Sequence, residues 1–118
     1  MMNLKALIVE DDPILQTLHQ KALKTLSIDS SIAGTGIEAI QALKDSLFDF
    51  VLMDINMPGT NGIEGIRATK PMRPATQFLV VTVFENPTYI FQALCAGATG
   101  YLVKDADSDV LLAAVREI

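Results

Sequence analysis

This chain is short of cysteine, short of histidine and short of positive charge. Cys95, the only cysteine, excludes an internal disulfide and a cysteine-based metal site. Its neighbours Ala93, Leu94 and Ala96 predict a small buried apolar residue there. His19, the only histidine, falls inside a helical stretch and is expected at the surface. Lys and Arg number 9 against 14 Asp and Glu, a net charge of -5. That balance argues against nonspecific nucleic-acid binding by this piece, because a phosphate backbone demands a positive face. No apolar run is long enough to span a bilayer, and the start lacks a secretory signal's basic-then-apolar layout. The expected location is the cytoplasm. At 118 residues, 50% of them hydrophobic, residues 1–118 are expected to form one domain around a single core.

The most informative stretch is Phe48 to Gly59. An apolar run, Phe50 to Met53, ends in a lone carboxylate, Asp54, with Pro58-Gly59 and Asn61-Gly62 as turn chemistry behind it. Such a run suits a strand buried on both faces. Asp54 then stands at the carboxyl end of a central parallel strand, where open α/β sheets carry their sites. Leu4 to Val9 is a second such run and stops in Glu10-Asp11-Asp12. Asp12-Pro13 looks like a helix cap and first position. Leu15, Leu18, Ala22, Leu23 and Leu26 continue that helix over about 13–26.

Ser30 to Ala33 is a short strand; Thr35 and Glu38 form a capping box for a second helix with Ile37, Ile40 and Leu43 inward. A third helix near Ile63 and Ile66 is kept short by Gly65 and Pro71. Arg67, Lys70 and Arg73 around it are expected to be a solvated face. Phe78 to Thr82 is the fourth strand, and Asn86-Pro87 starts a helix to about Ala96. Tyr101 to Val103 is the fifth strand and ends at Lys104; Asp107 caps a fifth helix with Leu111, Leu112 and Val115 inward. This alternation predicts an α/β fold, a doubly wound (βα)₅ five-stranded parallel sheet with right-handed crossovers.

The buried strands all run out into polar residues: Glu10-Asp11-Asp12 after the first, Asp54 after the third, Thr82 after the fourth and Lys104 after the fifth. A lone strand-end Asp is more often a helix cap than a nucleophile, and it is the joint pattern that carries weight. Clustered carboxylates repel, and a hard divalent cation with oxygen ligands, Mg²⁺ by abundance, relieves them. An ammonium and a hydroxyl beside that ion suit phosphoryl oxygens, and a facing carboxylate can attack phosphorus in line. The pattern therefore points to a site that accepts a phosphoryl group on Asp54.

The segments Val9-Glu10-Asp11-Asp12-Pro13, Met53 to Gly59, Val81-Thr82 and Gly100 to Asp105 resemble the receiver domain of two-component response regulators, over essentially the whole chain. The resemblance implies a flavodoxin-like fold and phosphorylation of Asp54 by a sensor histidine kinase or histidine phosphotransfer protein. It implies a phosphoacceptor that promotes its own phosphorylation and dephosphorylation rather than an enzyme. Asp11, Asp54 and the carbonyl of Asn56 are then the Mg²⁺ ligands, with Glu10 acting through water and Asp12 left as the helix cap. Thr82, Lys104 and Tyr101 match the phosphoryl-binding and switch positions; Asn56 and Phe84 flank the path of water and set dephosphorylation rate.

Ala96 to Ala106 looks like the LuxR-type branch, whose members carry a C-terminal DNA-binding output domain; in this reading that domain is absent and DNA is reached only through it. The surface of the fourth helix, fifth strand and fifth helix is expected to meet a second receiver, forming a homodimer on phosphorylation, or an output domain. Glu10 replaces the commoner Asp, and Asp105 stands where proline often follows the lysine, which makes a cis peptide there less expected. Two other readings compete: a haloacid-dehalogenase-type phosphatase, which places a second Asp where Asn56 stands, and a degenerate receiver that only binds protein.

Overall fold

A computed structural model describes residues 4–54, 56–57, 60–82, 87–103, 113 and 115. Five strands form one all-parallel sheet: β1 (Lys5–Val9), β2 (Asp29–Ala33), β3 (Phe50–Asp54), β6 (Gln77–Thr82) and β7 (Gly100–Val103), in the order β2-β1-β3-β6-β7. Between β3 and β6 the chain adds a small antiparallel pair, β4 (Asn56–Met57) with β5 (Thr60–Asn61), flanking Pro58-Gly59. The sequence marks that segment only as turn chemistry. Four helices connect the strands: α1 (Pro13–Lys24), α2 (Gly36–Asp45), α3 (Gly62–Thr69) and α4 (Pro87–Ala96). Ala113 and Val115 are helical, and the rest of the expected fifth helix, with Asp107, lies outside the described residues, as do Asn86 and Asp105. No helix among the described residues is long and apolar enough to cross a membrane.

β1, β3 and β6 are apolar over most of their length because both faces of the sheet are covered there, whereas β2 at the edge is polar and largely exposed. Leu7, Val9, Val51, Met53, Phe78 and Val80 point to one side and pack with Ala39 and Leu43 of α2, Ile63 and Ile66 of α3 and Ala93 of α4. Their neighbours Ala6, Ile8, Phe50, Leu52, Leu79 and Val81 face the other side, against Ala22 and Leu23 of α1 and Val115. Alternate side chains of one strand thus enter two separate cores.

α1 and α2 are capped by identifiable groups. The Asp12 carboxylate accepts the Ile14 N–H at 2.9 Å and caps α1 ahead of Pro13. Thr35 Oγ1 accepts the Glu38 N–H, and the Glu38 carboxylate accepts the Gly34 N–H at 2.7 Å, one residue earlier than an ordinary capping box. At the far end of α1 the Ile28 N–H reaches the Leu23 carbonyl and the Ser27 N–H the Lys24 carbonyl, with Ser27 at φ 59°. This is a Schellman closure with serine where glycine is usual. Ser27→Gly is therefore expected to stabilise the fold by about 0.5–1 kcal/mol, a few degrees in thermal melting.

Several expectations about exposure are corrected. His19 is buried and Leu18 is exposed, because the face that α1 turns inward is that of His19, Ala22 and Leu23, with Leu26 packing just beyond the helix end. Ile37 is 81% exposed; α2 buries Gly36 and Ala39 together with Leu43, which was expected inward. Cys95 is exposed, since α4 turns Ala93 to the core and Cys95 lies two residues further round. Arg67 is solvated beside Glu64, but Lys70 and Arg73 are not merely surface charge. Lys70 Nζ donates to the Thr76 carbonyl at 2.7 Å, and Arg73 donates to the Leu43 and Lys44 carbonyls, filling the orphan acceptors at the end of α2.

Candidate functional site

β1 and β3 are neighbours, with Val9 opposite Met53, so Glu10 and Asp54 leave adjacent strands at one level. β2 lies on the outer side of β1, and β3 on the other. Strand order reverses there, and the connections diverge to leave a crevice at the carboxyl edge. Both acids are nearly enclosed, Glu10 and Asp54 each 1% exposed, whereas Asp11 is open to solvent. One carboxylate oxygen from each of Glu10, Asp11 and Asp54 lies within 4.8 Å of the others.

Negative groups that close repel by roughly 3 kcal/mol a pair at an effective dielectric near 20. A divalent cation removes that repulsion, and an all-oxygen donor set suits a hard ion such as Mg²⁺. The cluster fits the ion on two counts: oxygen donors only, and two of its carboxylates withdrawn from water. What the arrangement can do chemically is hold a hard cation and present an Asp54 carboxylate oxygen beside it.

The other predicted residues divide three ways. Asp12 is spent on capping α1, as its position predicts. Thr82 stands at the same edge, at the end of β6: Asp54 pairs with Val81, and Thr82 with Val103 of β7. Asn56 opens β4 two residues past Asp54, and Tyr101 of β7 pairs with Val80 of β6 and is 42% exposed. Lys104 and Phe84 lie outside the described residues.

The surroundings of Glu10 involve a residue that sequence reasoning passed over. The Glu10 N–H donates to the Ala33 carbonyl at 3.1 Å, and Glu10 Oε1 accepts the Asp12 N–H at 3.2 Å. The Glu10 carbonyl accepts from Gln16 Nε2 at 2.6 Å. The available signal was an amide one turn into a helix that starts directly after the acids.

The chain matches the response regulator receiver domain family over residues 6–116. It is 30% identical over 115 residues to the transcriptional regulatory protein ZraR of Escherichia coli (strain K12), covering 98% of this chain and 26% of ZraR. It is 33% identical over 115 residues to the nitrate/nitrite response regulator protein NarP of the same strain, covering 95% of this chain and 53% of NarP. The chain thus spans between a quarter and about half of these relatives. A CheY-like receiver domain protein of Methanospirillum hungatei JF-1 superposes with a TM-score of 0.94 at 26% identity, covering 98% of this chain and 93% of that one. A strand-end acid cluster at the reversal of a five-stranded parallel sheet, and a family match across nearly its whole length, show that this chain belongs to the response regulator receiver domain family.

Proposed function

We propose that Asp54 is the phosphoacceptor of a Mg²⁺-dependent switch in the cytoplasm, charged by the phosphohistidine of a sensor kinase or phosphotransfer protein. The observation that carries this reading is the convergence of Glu10, Asp11 and Asp54 at the reversal of the sheet. An Asp54 carboxylate oxygen forms the new bond to phosphorus as the bond to the donor's imidazole nitrogen breaks, and that nitrogen keeps the electron pair. Asp11, Asp54 and the Asn56 carbonyl would hold the metal, with Glu10 acting through water. The bound ion supplies charge neutralisation on the transferring oxygens. Thr82 and Lys104 would take the remaining phosphoryl oxygens.

Tyr101 is partly exposed, so an inward turn is open to it once Thr82 moves toward the phosphate. That turn would bias α4, β7 and the fifth helix between two states. On α4, Tyr89, Phe91 and Leu94 are exposed, Phe91 and Leu94 together on the side away from Ala93, which suits contact with a second receiver or an output domain. On α1, Ile14 is 71% and Leu18 51% exposed, and this apolar ledge beside the acids suits the kinase. ZraR and NarP are regulators by name, which supports transcriptional output through a DNA-binding domain elsewhere on the parent protein.

The test is acetyl phosphate with Mg²⁺, followed by mass spectrometry of the intact protein. A stable single phosphoryl adduct supports the receiver reading; rapid turnover with release of phosphate points to a phosphatase, and no reaction to a binding module. Phe84 is proposed to shield the acyl phosphate from water, so Phe84→Ala is expected to speed dephosphorylation. An unchanged rate would remove that role.

A further inference from the structure

We infer that Gln16 is a positioning residue for the acid pair, resting on the reading of Glu10, Asp11 and Asp54 as a metal and phosphoacceptor site. Gln16 is the fourth residue of α1, and its own N–H makes the helix's first backbone bond, to the Asp12 carbonyl at 2.9 Å. Its side chain runs back past the helix start, where Nε2 meets the Glu10 carbonyl at 2.6 Å. That carbonyl and the Asp11 N–H belong to one rigid peptide plane. Holding it sets the last torsion of Glu10 and the first of Asp11 together, and with them the directions of two of the three carboxylates.

The rest of Glu10 is held as well. Its N–H is engaged by Ala33 and its Oε1 by the Asp12 N–H. Gln16 adds a side-chain donor to these two backbone contacts. The choice of amide is chemically pointed. A carboxylate at this place would face a carbonyl with no proton to give and would add a like charge to the cluster. An apolar side chain would leave the peptide free to rotate under the mutual repulsion of the acids. A neutral donor holds the plane without adding charge.

The experiment compares wild type with Gln16→Met, which keeps the length and loses the donor, and Gln16→Asn, which keeps the amide one methylene short. Mn²⁺ serves as the metal probe, its free fraction read by electron paramagnetic resonance with no phosphodonor present. Both variants are expected to bind Mn²⁺ on the order of fivefold more weakly, the factor for one lost hydrogen bond of ordinary strength. Metal-free melting is expected to fall by no more than the few degrees that one lost hydrogen bond costs. Wild-type affinity in either folded variant, or lower melting with unchanged affinity, overturns the inference. A second readout needs no metal: the Asp11 amide nitrogen signal in metal-free protein should move in both variants, because the bond to Glu10 polarises their shared peptide. If wild type binds no Mn²⁺, the metal reading falls by itself, and the Asp11 signal still decides for or against Gln16. Should Gln16→Met fail to fold, Gln16→Asn carries both measurements.

Discussion

Asp54→Asn protein given acetyl phosphate and Mg²⁺ is expected to take up no phosphoryl group, while the wild type takes up one. The substitution keeps the shape of a side chain that is 1% exposed at the end of β3 and removes its nucleophilic charge. It should also change stability in a direction that loss of activity alone does not predict. Asp54 sits with Glu10 and Asp11 inside 4.8 Å, and each like-charge pair is worth up to roughly 3 kcal/mol at an effective dielectric near 20. Metal-free Asp54→Asn should therefore melt higher than metal-free wild type, by several degrees for each kcal/mol relieved. Mg²⁺ should raise the melting point of the wild type, because a ligand that binds only the folded state stabilises it. That rise should be largely lost in the variant. Uptake of phosphate by Asp54→Asn would place the acceptor elsewhere, and a variant that melts lower without metal would show that repulsion does not dominate the cluster.

Gly97→Ala is expected to be the most damaging of the small substitutions. Gly97 closes α4: its N–H reaches the Leu94 carbonyl at 3.1 Å, and the Ala98 N–H reaches Ala93 at 2.9 Å. Its φ is +119°, well beyond the left-handed well near +57° that other residues enter with difficulty. Ser27, at φ 59°, sits inside that well, which is why serine is tolerated there and no side chain is expected to be tolerated at 97. A Cβ on Gly97 would also stand 2.8 Å from Lys70 Cγ. Lys70 cannot simply swing away, since its Nζ is held by the Thr76 carbonyl and lies 5.7 Å from the centre of the Phe78 ring. Backbone strain and the displaced lysine together should cost about 2–4 kcal/mol, or a fall of roughly 10–20 °C in melting. Adding Lys70→Ala should recover the steric part and leave the backbone part, so the double variant separates the two. Wild-type melting of Gly97→Ala would show that the chain leaves α4 by another path.

The acids were legible at a distance because each of Glu10 and Asp54 ends an apolar run, and parallel strands deliver their carboxyl ends to one edge. The capping residues Asp12 and Thr35 were equally plain, since a cap acts on backbone two or three residues away. Helix faces were less so. Leucine or isoleucine at 18 and 37 fits helical spacing as well as the residues that are actually buried, and only the angle at which a helix meets the sheet selects the stripe. The same holds for Arg73, whose carbonyl partners lie 30 and 29 residues back along the chain.

From the sequence alone come the order of strands and helices, the burial of the sheet on both faces, and the identity of the acids. All of these rest on short-range pattern: runs of apolar residues, caps and turns. Only the tertiary structure decided that β1 lies against β3, bringing Glu10 and Asp54 to one level with Gln16 folded back on the acid-bearing peptide. The physical reason is that strand neighbours and helix faces are chosen by how distant surfaces fit together. No local stretch of the chain encodes that fit.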